Sequence, residues 1–215
     1  MFTTVLFDID GTLVDSNDLH AYAWVEAFAE EGIAVDFNKV RYSIGMGGDK
    51  LMPAVSGIAA DTPEGQRIST RRGEIFKAKY LPQVTPFRDA ARLVAALKKQ
   101  GRTAVAASSA TREELHALLA IAGAGALLDD RTSSDDAEQS KPDPDIIHAA
   151  LKKAEAMPAD AVMIGDTPYD IAAATAAGVQ AIAFRCGGWS DSDLRGAMAI
   201  YDGPWDLLAR VDELN

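Results

Sequence analysis

Short apolar runs alternate with helical patterns through most of the chain, and this alternation restricts the fold more than any other feature. Four runs have the length of strands, at residues 4–8, 102–107, 161–165 and 179–184. Helical patterns cover residues 87–100, 112–121, 144–156 and 168–177, and a last helix is expected at residues 205–213. Because parallel strands need a crossover between them, usually a helix, this order predicts an α/β fold with a Rossmann-like parallel-sheet core.

The stretch between the first and second strands departs from this order, because residues 16–82 are predicted to be helical throughout. Its first helix has an apolar face that repeats every four residues, and Gly32 ends it. A glycine-rich break at residues 45–48 separates further helices. We therefore expect an inserted all-helical cap domain here, on an α/β core formed by residues 1–15 and 83–215. The apolar face comprises Leu19, Ala23 and Ala27 beside His20, Trp24 and Phe28.

The charge balance limits the partners of the chain. Its 215 residues carry a net charge of −11, and no block of lysine or arginine is present. Such a surface repels nucleic acid and anionic membranes, so we expect neither as a partner. No apolar run approaches the roughly 20 residues that cross a bilayer, and the first residues are typical of a strand rather than an export signal. The single Cys186 suits a reducing compartment, so we expect a cytoplasmic protein, as a monomer or a weak dimer.

The most informative motif is Asp8-Ile9-Asp10-Gly11-Thr12, which stands where the first apolar run ends. Ligands of open parallel sheets bind outside the carboxyl ends of the strands, so this placement predicts a site. Side chains alternate along an extended chain, which puts Asp8 and Asp10 on the same side. Two such carboxylates can divide their roles, one as nucleophile or metal ligand and one with a raised pKa that transfers protons. The alternative is a plain turn, because Asp-Gly pairs are common in turns.

This Asp-x-Asp-Gly-Thr motif at the end of a first strand resembles the first motif of haloacid dehalogenase superfamily phosphatases. The resemblance implies that Asp8 attacks phosphorus and forms an aspartyl phosphate. It implies that Asp10, protonated, delivers a proton to the leaving oxygen and then activates the attacking water. We also assign Thr12 to substrate binding.

A second motif of that family, a serine or threonine at the end of the second core strand, has a counterpart in Ser108. The alternative is that this serine caps the next helix. Thr111 and Glu114 already form a capping-box pattern at that helix start, which leaves Ser108 free. We expect the hydroxyl of Ser108 and the backbone N–H of Ser109 to hold two phosphate oxygens.

The third and fourth motifs of the family resemble Lys141-Pro142-Asp143 and Asp166 followed by Asp170. Each has a plainer interpretation, because a lysine before a helix is usually solvated and an acidic residue in a first helical turn stabilises the helix dipole. The resemblance implies that Lys141 neutralises the nucleophile and the transferring phosphoryl group. It also implies a Mg²⁺ ion held by Asp8, the carbonyl of Asp10 and Asp166, with Asp170 binding directly or through water.

The helical insert resembles the cap of the phosphoglycolate-phosphatase-like and β-phosphoglucomutase-like branch, in Leu19-His20 and in Gly45-Met46-Gly47-Gly48. A cap excludes water and selects the leaving group, so a small phosphorylated metabolite is the expected substrate. The chain departs from its relatives at Ser140, where they often carry glycine. Four cap residues are candidates for leaving-group contacts, although core packing, solvated charge or an interface contact would also explain them. They are His20, Trp24, Arg41 and Lys50.

Other functions are compatible with some of these motifs. A phosphomutase of the β-phosphoglucomutase type would return phosphate to a sugar rather than to water. The fourth motif continues as Thr167-Pro168-Tyr169, closer to the phosphatase form, and we favour hydrolysis. Dehalogenation has no leaving oxygen to protonate, so the presence of Asp10 argues against it. A non-catalytic phosphate-binding module would be expected to lack Asp8, Asp10, Lys141 or Asp166, and all four are present.

Overall fold

The computed structural model describes residues 2–214 of the chain, with a parallel sheet at its centre. Its strands are β1 (Thr4–Phe7), β2 (Val14–Asp15), β3 (Thr85–Pro86), β4 (Thr103–Ala107), β5 (Asp130–Thr132), β6 (Ala161–Gly165), β7 (Gln180–Phe184) and β8 (Ala199–Tyr201). Six of them form the sheet in the order β5-β4-β1-β6-β7-β8, with every neighbouring pair parallel, and β2 pairs separately with β3. The predicted Rossmann-like parallel-sheet core is therefore confirmed.

Helices join the strands in the order expected of a crossover fold. Four precede β3 and five follow it in the part of the chain that the structure describes. They are α1 (Asn17–Glu30), α2 (Phe37–Arg41), α3 (Gly48–Ser56), α4 (Pro63–Ile75), α5 (Ala90–Lys99), α6 (Arg112–Ala122), α7 (Asp145–Lys153), α8 (Pro168–Ala176) and α9 (Pro204–Ala209). A π-helical turn at Phe76–Tyr80 and a 3-10 turn at Leu81–Gln83 continue α4 towards β3.

The centre of the sheet brings three strand ends to one edge. β1 lies between β4 and β6, and its last residue, Phe7, is in register with Ala106 and Ile164. Because the three strands are parallel, the residues that follow them meet at the same edge. Those residues are Asp8, Ser108 and Asp166.

Both faces of the sheet are covered, which explains why the strands are continuous apolar runs. Val5 and Phe7 of β1 belong to the core that includes α5 and α6, whereas Leu6 packs in the core that includes α7 and α8. Each side chain is fully buried. Burial of an apolar side chain of this size stabilises the fold by about 1.5–3 kcal/mol, so the strand that carries Asp8 is firmly anchored.

The helical segment leaves and rejoins the sheet through a short antiparallel ribbon. Val14 pairs with Pro86 and Asp15 with Thr85, and every regular element between β2 and β3 is helical. α1 packs against α2 and α4 within this segment. The predicted division into a core and a cap at residues 16–82 stays a prediction, and the paired exit and return of the chain support it.

Several elements differ from the predictions. β5 and β8 were not predicted, because each is an edge strand of three residues and β5 reads Asp-Arg-Thr. α5 begins at Ala90 rather than at residue 87, because Asp89 adopts a left-handed conformation with φ of 62°. The last helix, α9, ends at Ala209, and a 3-10 turn follows it. Across residues 2–214, no helix combines the length and the apolar character needed to cross a membrane.

Candidate active site

A buried lysine joins two carboxylates at the edge of the sheet. Nζ of Lys141, in the loop before α7, donates to Oδ1 of Asp8 at 2.6 Å and to Oδ1 of Asp170 at 2.7 Å. Burial acts to lower the pKa of Lys141, but the two carboxylates outweigh it and hold this pKa well above its usual range. Lys141 is therefore a fixed positive charge beside Asp8.

Asp170 both starts a helix and contacts the lysine. Its Oδ2 accepts from the backbone N–H of Thr167 at 3.0 Å and from the Thr167 hydroxyl at 2.7 Å. The Thr167 oxygen accepts in return from the N–H of Asp170 at 3.2 Å, which completes a capping box. Oδ1 stays available for Lys141, so Asp170 can stabilise the start of α8 and contact the buried lysine at the same time.

Asp166, at the end of β6, is fully buried and held in one orientation. Thr12 Oγ1 donates to Oδ1 at 3.1 Å, and Asn17 Nδ2 donates to Oδ2 at 2.9 Å. Two glycines leave room for the carboxylate. A Cβ on Gly11 would lie 2.2 Å from Oδ2 of Asp166, and a Cβ on Gly187 would lie 1.8 Å from the same atom. The Thr12 side chain thus positions Asp166, and the predicted role of Thr12 in substrate binding stays a prediction.

Three carboxylates converge on one point that suits a divalent cation. One oxygen each from Asp8, Asp166 and Asp170 lies within 4.8 Å of the others. Burial, opposed by Lys141 and reinforced by Asp170, raises the pKa of Asp8 to about 8. Burial and repulsion by Asp170 and Asp8 raise the pKa of Asp166 well above its usual range. This excess of buried negative charge and the all-oxygen donor set fit Mg²⁺.

Asp10 contacts the start of α1. Its Oδ1 accepts from Ser16 Oγ at 2.5 Å and lies 2.9 Å from His20 Nε2. The His20 ring stacks on Phe76 with 3.8 Å between the centroids, which fixes its orientation. Burial acts to raise the pKa of Asp10, but its contacts, chiefly those with His20 and Ser16, outweigh it and lower this pKa. The expectation of a raised pKa at Asp10 is therefore wrong for this structure, and the raised value belongs to Asp8.

The two serines after β4 have different positions. Ser108 is almost completely buried, and its Oγ accepts from the N–H of Ala110 at 3.1 Å. Ser109 lines the cavity in front of Asp8, and its hydroxyl donates to the carbonyl of Gly45 at 3.3 Å. Ser108 therefore holds its own turn through its oxygen. The predicted contacts of Ser108 and Ser109 with phosphate oxygens stay predictions.

A small cavity of about 60 Å³ lies in front of Asp8, between the sheet edge and the helical segment. A larger groove of about 1040 Å³, beside α6 and β5, contains none of the motif residues. The small cavity is lined by Asp8, Asp10, His20, Trp24, Ile44, Gly45, Met46, Gly47, Gly48, Arg72, Ser109, Ala110 and Glu114.

The predicted leaving-group contacts divide into two groups. His20 and Trp24 line the cavity. Lys50 lies outside the residues that line it, and its Nζ binds Oε1 of Gln139 at 2.7 Å and Oδ2 of Asp143 at 2.8 Å. Lys50 thus connects α3 to the loop before α7, and its predicted contact with the substrate stays a prediction.

Further hydrogen bonds fasten the helical segment to the loops at the sheet edge. Arg41 Nη2 donates to the carbonyl of Gly187 at 2.6 Å, so Arg41 contacts the core, and its role as a leaving-group contact stays a prediction. The N–H of Gly47 donates to Ser140 Oγ at 3.0 Å, and this hydroxyl donates to Asp49 Oδ1 at 2.5 Å. Ser140, the departure from the family pattern, therefore connects the helical segment to the lysine loop.

Sequence patterns did not single out several residues of the site. Ser16 and Asn17 stand at the start of α1, where such residues usually cap a helix, so local sequence hides their contacts with Asp10 and Asp166. Arg72 in α4 belongs to none of the sequence motifs. Its Nη1 lies 2.7 Å from Oε1 of Glu114, a contact that only the tertiary fold creates.

Comparisons with known proteins agree with this geometry. The haloacid dehalogenase-like hydrolase family matches residues 5–184. A phosphoglycolate phosphatase of Cupriavidus necator is 32% identical over 192 residues, which cover 86% of this chain and 81% of that protein. The crystal structure of a hydrolase from Pseudomonas syringae has a TM-score of 0.92 at 28% identity and covers 99% of both chains.

A β-phosphoglucomutase of Clostridium difficile has the same fold, with a TM-score of 0.86 over 99% of this chain and 96% of that one. At 18% identity this likeness concerns the fold alone. The family match runs from β1 to the end of β7 and includes Asp8, Ser108, Lys141, Asp166 and Asp170. The chain belongs to the haloacid dehalogenase-like hydrolase family.

Proposed function

We propose that this chain is a Mg²⁺-dependent phosphatase that hydrolyses a small phosphorylated metabolite through an aspartyl phosphate on Asp8. The observation that carries the proposal is the buried Lys141 between Asp8 and Asp170, with Asp166 beside them and a cavity in front. Buried charges of this kind are expensive to desolvate and are a weak source of stability. A phosphoryl group and a divalent cation give the cluster a function.

In the first step, Asp8 attacks phosphorus in line with the leaving oxygen. Lys141 holds Oδ1, and no donor in residues 2–214 meets Oδ2, which makes Oδ2 the attacking atom. The bond from Oδ2 to phosphorus forms as the bond from phosphorus to the leaving oxygen breaks. The hydrogen-bonded pair of Asp10 and His20, 2.9 Å apart, supplies the proton that the leaving oxygen takes up.

In the second step, a water molecule attacks the phosphorus of the aspartyl phosphate. Asp10 accepts a proton from that water, and His20 and Ser16 keep its carboxylate in place. The bond from phosphorus to Oδ2 of Asp8 breaks, which releases inorganic phosphate. The proton taken from the water replaces the one given to the leaving group.

The cation would be held by carboxylates of Asp8 and Asp166 and by the carbonyl of Asp10, with Asp170 binding directly or through water. When bound, it offsets the negative charge of the site so that an anionic ester can approach a carboxylate. Lys141 neutralises the transferring phosphoryl group.

Donors at the end of β4 complete the phosphoryl site. The backbone N–H of Ser109 and the hydroxyl proton of Ser108 are assigned to phosphoryl oxygens. The Ser108 oxygen accepts a backbone hydrogen bond, so its proton is still available to donate.

The proposal extends to the setting of the reaction. We place the protein in the cytoplasm, as a monomer or weak dimer that acts on a small phosphate ester rather than on nucleic acid. The single free Cys186 and the net charge of −11 support this placement.

The test is turnover of p-nitrophenyl phosphate. We expect activity with Mg²⁺, loss of activity in excess EDTA and recovery when Mg²⁺ is added back. Asp8→Asn should abolish turnover and leave the thermal melt unchanged, because an amide is a far poorer nucleophile. Asp61→Asn, at an exposed loop position, is the matched control. Full turnover in EDTA would contradict the metal site, and an active Asp8→Asn protein would contradict the covalent step.

A further inference from the structure

An ion pair separates the active-site cavity from a second, larger cavity. Nη1 of Arg72 in α4 lies 2.7 Å from Oε1 of Glu114 in α6, and the two side chains are only 13% and 14% exposed. Both residues line the cavity that contains Asp8. Both also line an outer cavity of about 460 Å³ between α4 and α6. Arg72 and Glu114 therefore form a wall shared by the two cavities.

The leaving group of a substrate has to meet this wall. The inner cavity is the smaller of the two, about 60 Å³ against about 460 Å³ for the outer one. The leaving oxygen takes up its proton on the side of the cavity that carries Asp10 and His20. The His20 ring stacks on Phe76, and Phe76 follows Arg72 by one helical turn.

The guanidinium of Arg72 has one edge without a partner. Glu114 occupies Nη1, whereas Nε is buried and meets no acceptor within residues 2–214. The group lies over the ring of Trp24, 5.2 Å from its centroid, which restricts its plane. The edge that includes Nε is the one that binds a planar oxyanion through two parallel hydrogen bonds.

On the basis of the proposed phosphatase function, we infer that Arg72 determines specificity for the leaving group and selects phosphate esters that carry a second acidic group. A carboxylate or a second phosphate on the leaving group binds the free edge of Arg72. Its negative charge draws the guanidinium away from Glu114, which loosens the wall towards the outer cavity. A neutral leaving group has no charge with which to break the pair, so the wall stays closed.

The test compares three short esters with and without the second charge. 2-Phosphoglycolate carries a carboxylate, ethane-1,2-diyl bisphosphate carries a second phosphate, and 2-hydroxyethyl phosphate is the neutral counterpart. The measured quantity is the ratio of kcat/KM for each acidic ester to kcat/KM for the neutral one. The comparison of the two acidic esters shows whether the subsite binds a carboxylate or a phosphate. We expect a ratio above one for at least one of the two esters.

Variants of the wall should move this ratio in opposite directions. Arg72→Met should lower it by about 10- to 100-fold, as expected for the loss of hydrogen bonds between charged groups. Glu114→Gln should raise it, because the acidic leaving group no longer competes with a carboxylate. Arg67→Met removes an exposed arginine of the same helix, away from both cavities, and should leave the ratio unchanged.

A wild-type enzyme without preference for either acidic ester would overturn the inference, and so would an unchanged ratio in Arg72→Met. If Arg72→Met fails to fold, Arg72→Lys replaces it in the test. Lysine keeps the positive charge but cannot form two parallel hydrogen bonds, so we expect a smaller decrease in the ratio. The increase in the ratio that we expect for Glu114→Gln is an independent test of the inference. A protein that hydrolyses none of the three esters and no aryl phosphate would instead contradict the proposed phosphatase function.

Discussion

Asn17 donates its side-chain N–H to Oδ2 of Asp166 at 2.9 Å, so the first residue of α1 orients a carboxylate at the end of β6. The same nitrogen donates to the carbonyl of Gly187 at 3.2 Å. The neighbouring Ser16 holds Asp10. The start of α1 therefore positions both the proposed metal ligand and the proposed proton carrier, which makes it a part of the site.

Asn17→Ala should weaken Mg²⁺ binding while preserving the fold. Loss of a side chain that orients a metal ligand typically costs about 10- to 100-fold in metal affinity, and we expect an increase of that order in the Mg²⁺ concentration for half-maximal turnover. A Mg²⁺ titration of activity and calorimetry of Mg²⁺ binding both measure it. Asn38→Ala, an exposed asparagine in α2, is the control. An unchanged titration would show that Thr12 alone orients Asp166.

Gly187→Ala should inactivate the enzyme through Asp166. Its Cβ would lie 1.8 Å from Oδ2 of a fully buried carboxylate, so the carboxylate or the loop has to move. A displacement of about 1 Å at a reacting site costs on the order of 100-fold in rate, and kcat with Mg²⁺ measures this. Gly73→Ala, where a Cβ meets nothing within 4 Å, should instead stabilise α4 by about 0.5–1 kcal/mol. Wild-type kcat in Gly187→Ala would contradict the tight fit.

The positions of the motif residues could be predicted because they depend on local sequence. An apolar run predicts a buried strand, and parallel pairing brings the ends of the strands together. Asp8 and Asp166 were therefore expected at one edge, and the three buried carboxylates do converge there. Asp170 was expected in the first turn of its helix, and its capping box with Thr167 follows the same local rules.

The remaining features depend on contacts between distant residues. Asn17 and Asp166 are 149 positions apart, and Arg72 and Glu114 are 42 apart, so no local pattern connects either pair. The division of pKa values was predicted the wrong way round, because burial dominates at Asp8. Burial is also the largest single cause at the other carboxylate, Asp10, but the charge of His20 and the hydrogen bonds from His20 and Ser16 together outweigh it and lower this pKa.

Ser140→Gly should weaken closure of the helical segment. The change removes the oxygen that accepts from Gly47 N–H and donates to Asp49. Loss of such hydrogen bonds costs about 1–3 kcal/mol, a factor of about 5 to 150 in the equilibrium between attached and detached segment, so KM should rise at least several-fold. Steady-state kinetics give KM and kcat separately, with the exposed Ser192→Gly as control. A fall in kcat without a change in KM would point to Lys141 instead.

His20→Ala should slow esters with poor leaving groups more than esters with good ones. His20 supports proton transfer through Asp10, and such transfer contributes about 10²- to 10⁴-fold to rates. Nitrophenolate leaves without a proton, so p-nitrophenyl phosphate should lose much less activity than an alkyl phosphate. His148→Ala, at an exposed position in α7, is the control. Equal losses for both esters would show that His20 acts on substrate binding alone.

The last prediction separates a hydrolase from a phosphomutase. The cavity in front of Asp8 lies between the sheet edge and the helical segment, and a hydrolase has to admit one water through it to the aspartyl phosphate. A mutase has to protect that intermediate until a sugar hydroxyl arrives, which requires cap contacts that couple Asp10 to sugar binding. Lys50, a candidate for such a contact, binds Gln139 and Asp143 instead.

We therefore expect free phosphate from sugar phosphates, phosphoglycolate and nucleotide monophosphates, in amounts equal to the ester consumed. Phosphate release and isomer formation should be scored in the same samples. β-Glucose 1-phosphate with a trace of the bisphosphate is the critical substrate, because a mutase converts it without net hydrolysis. Accumulation of glucose 6-phosphate with little free phosphate would contradict the hydrolase assignment, whereas phosphate release without isomer formation would exclude a mutase under the same conditions.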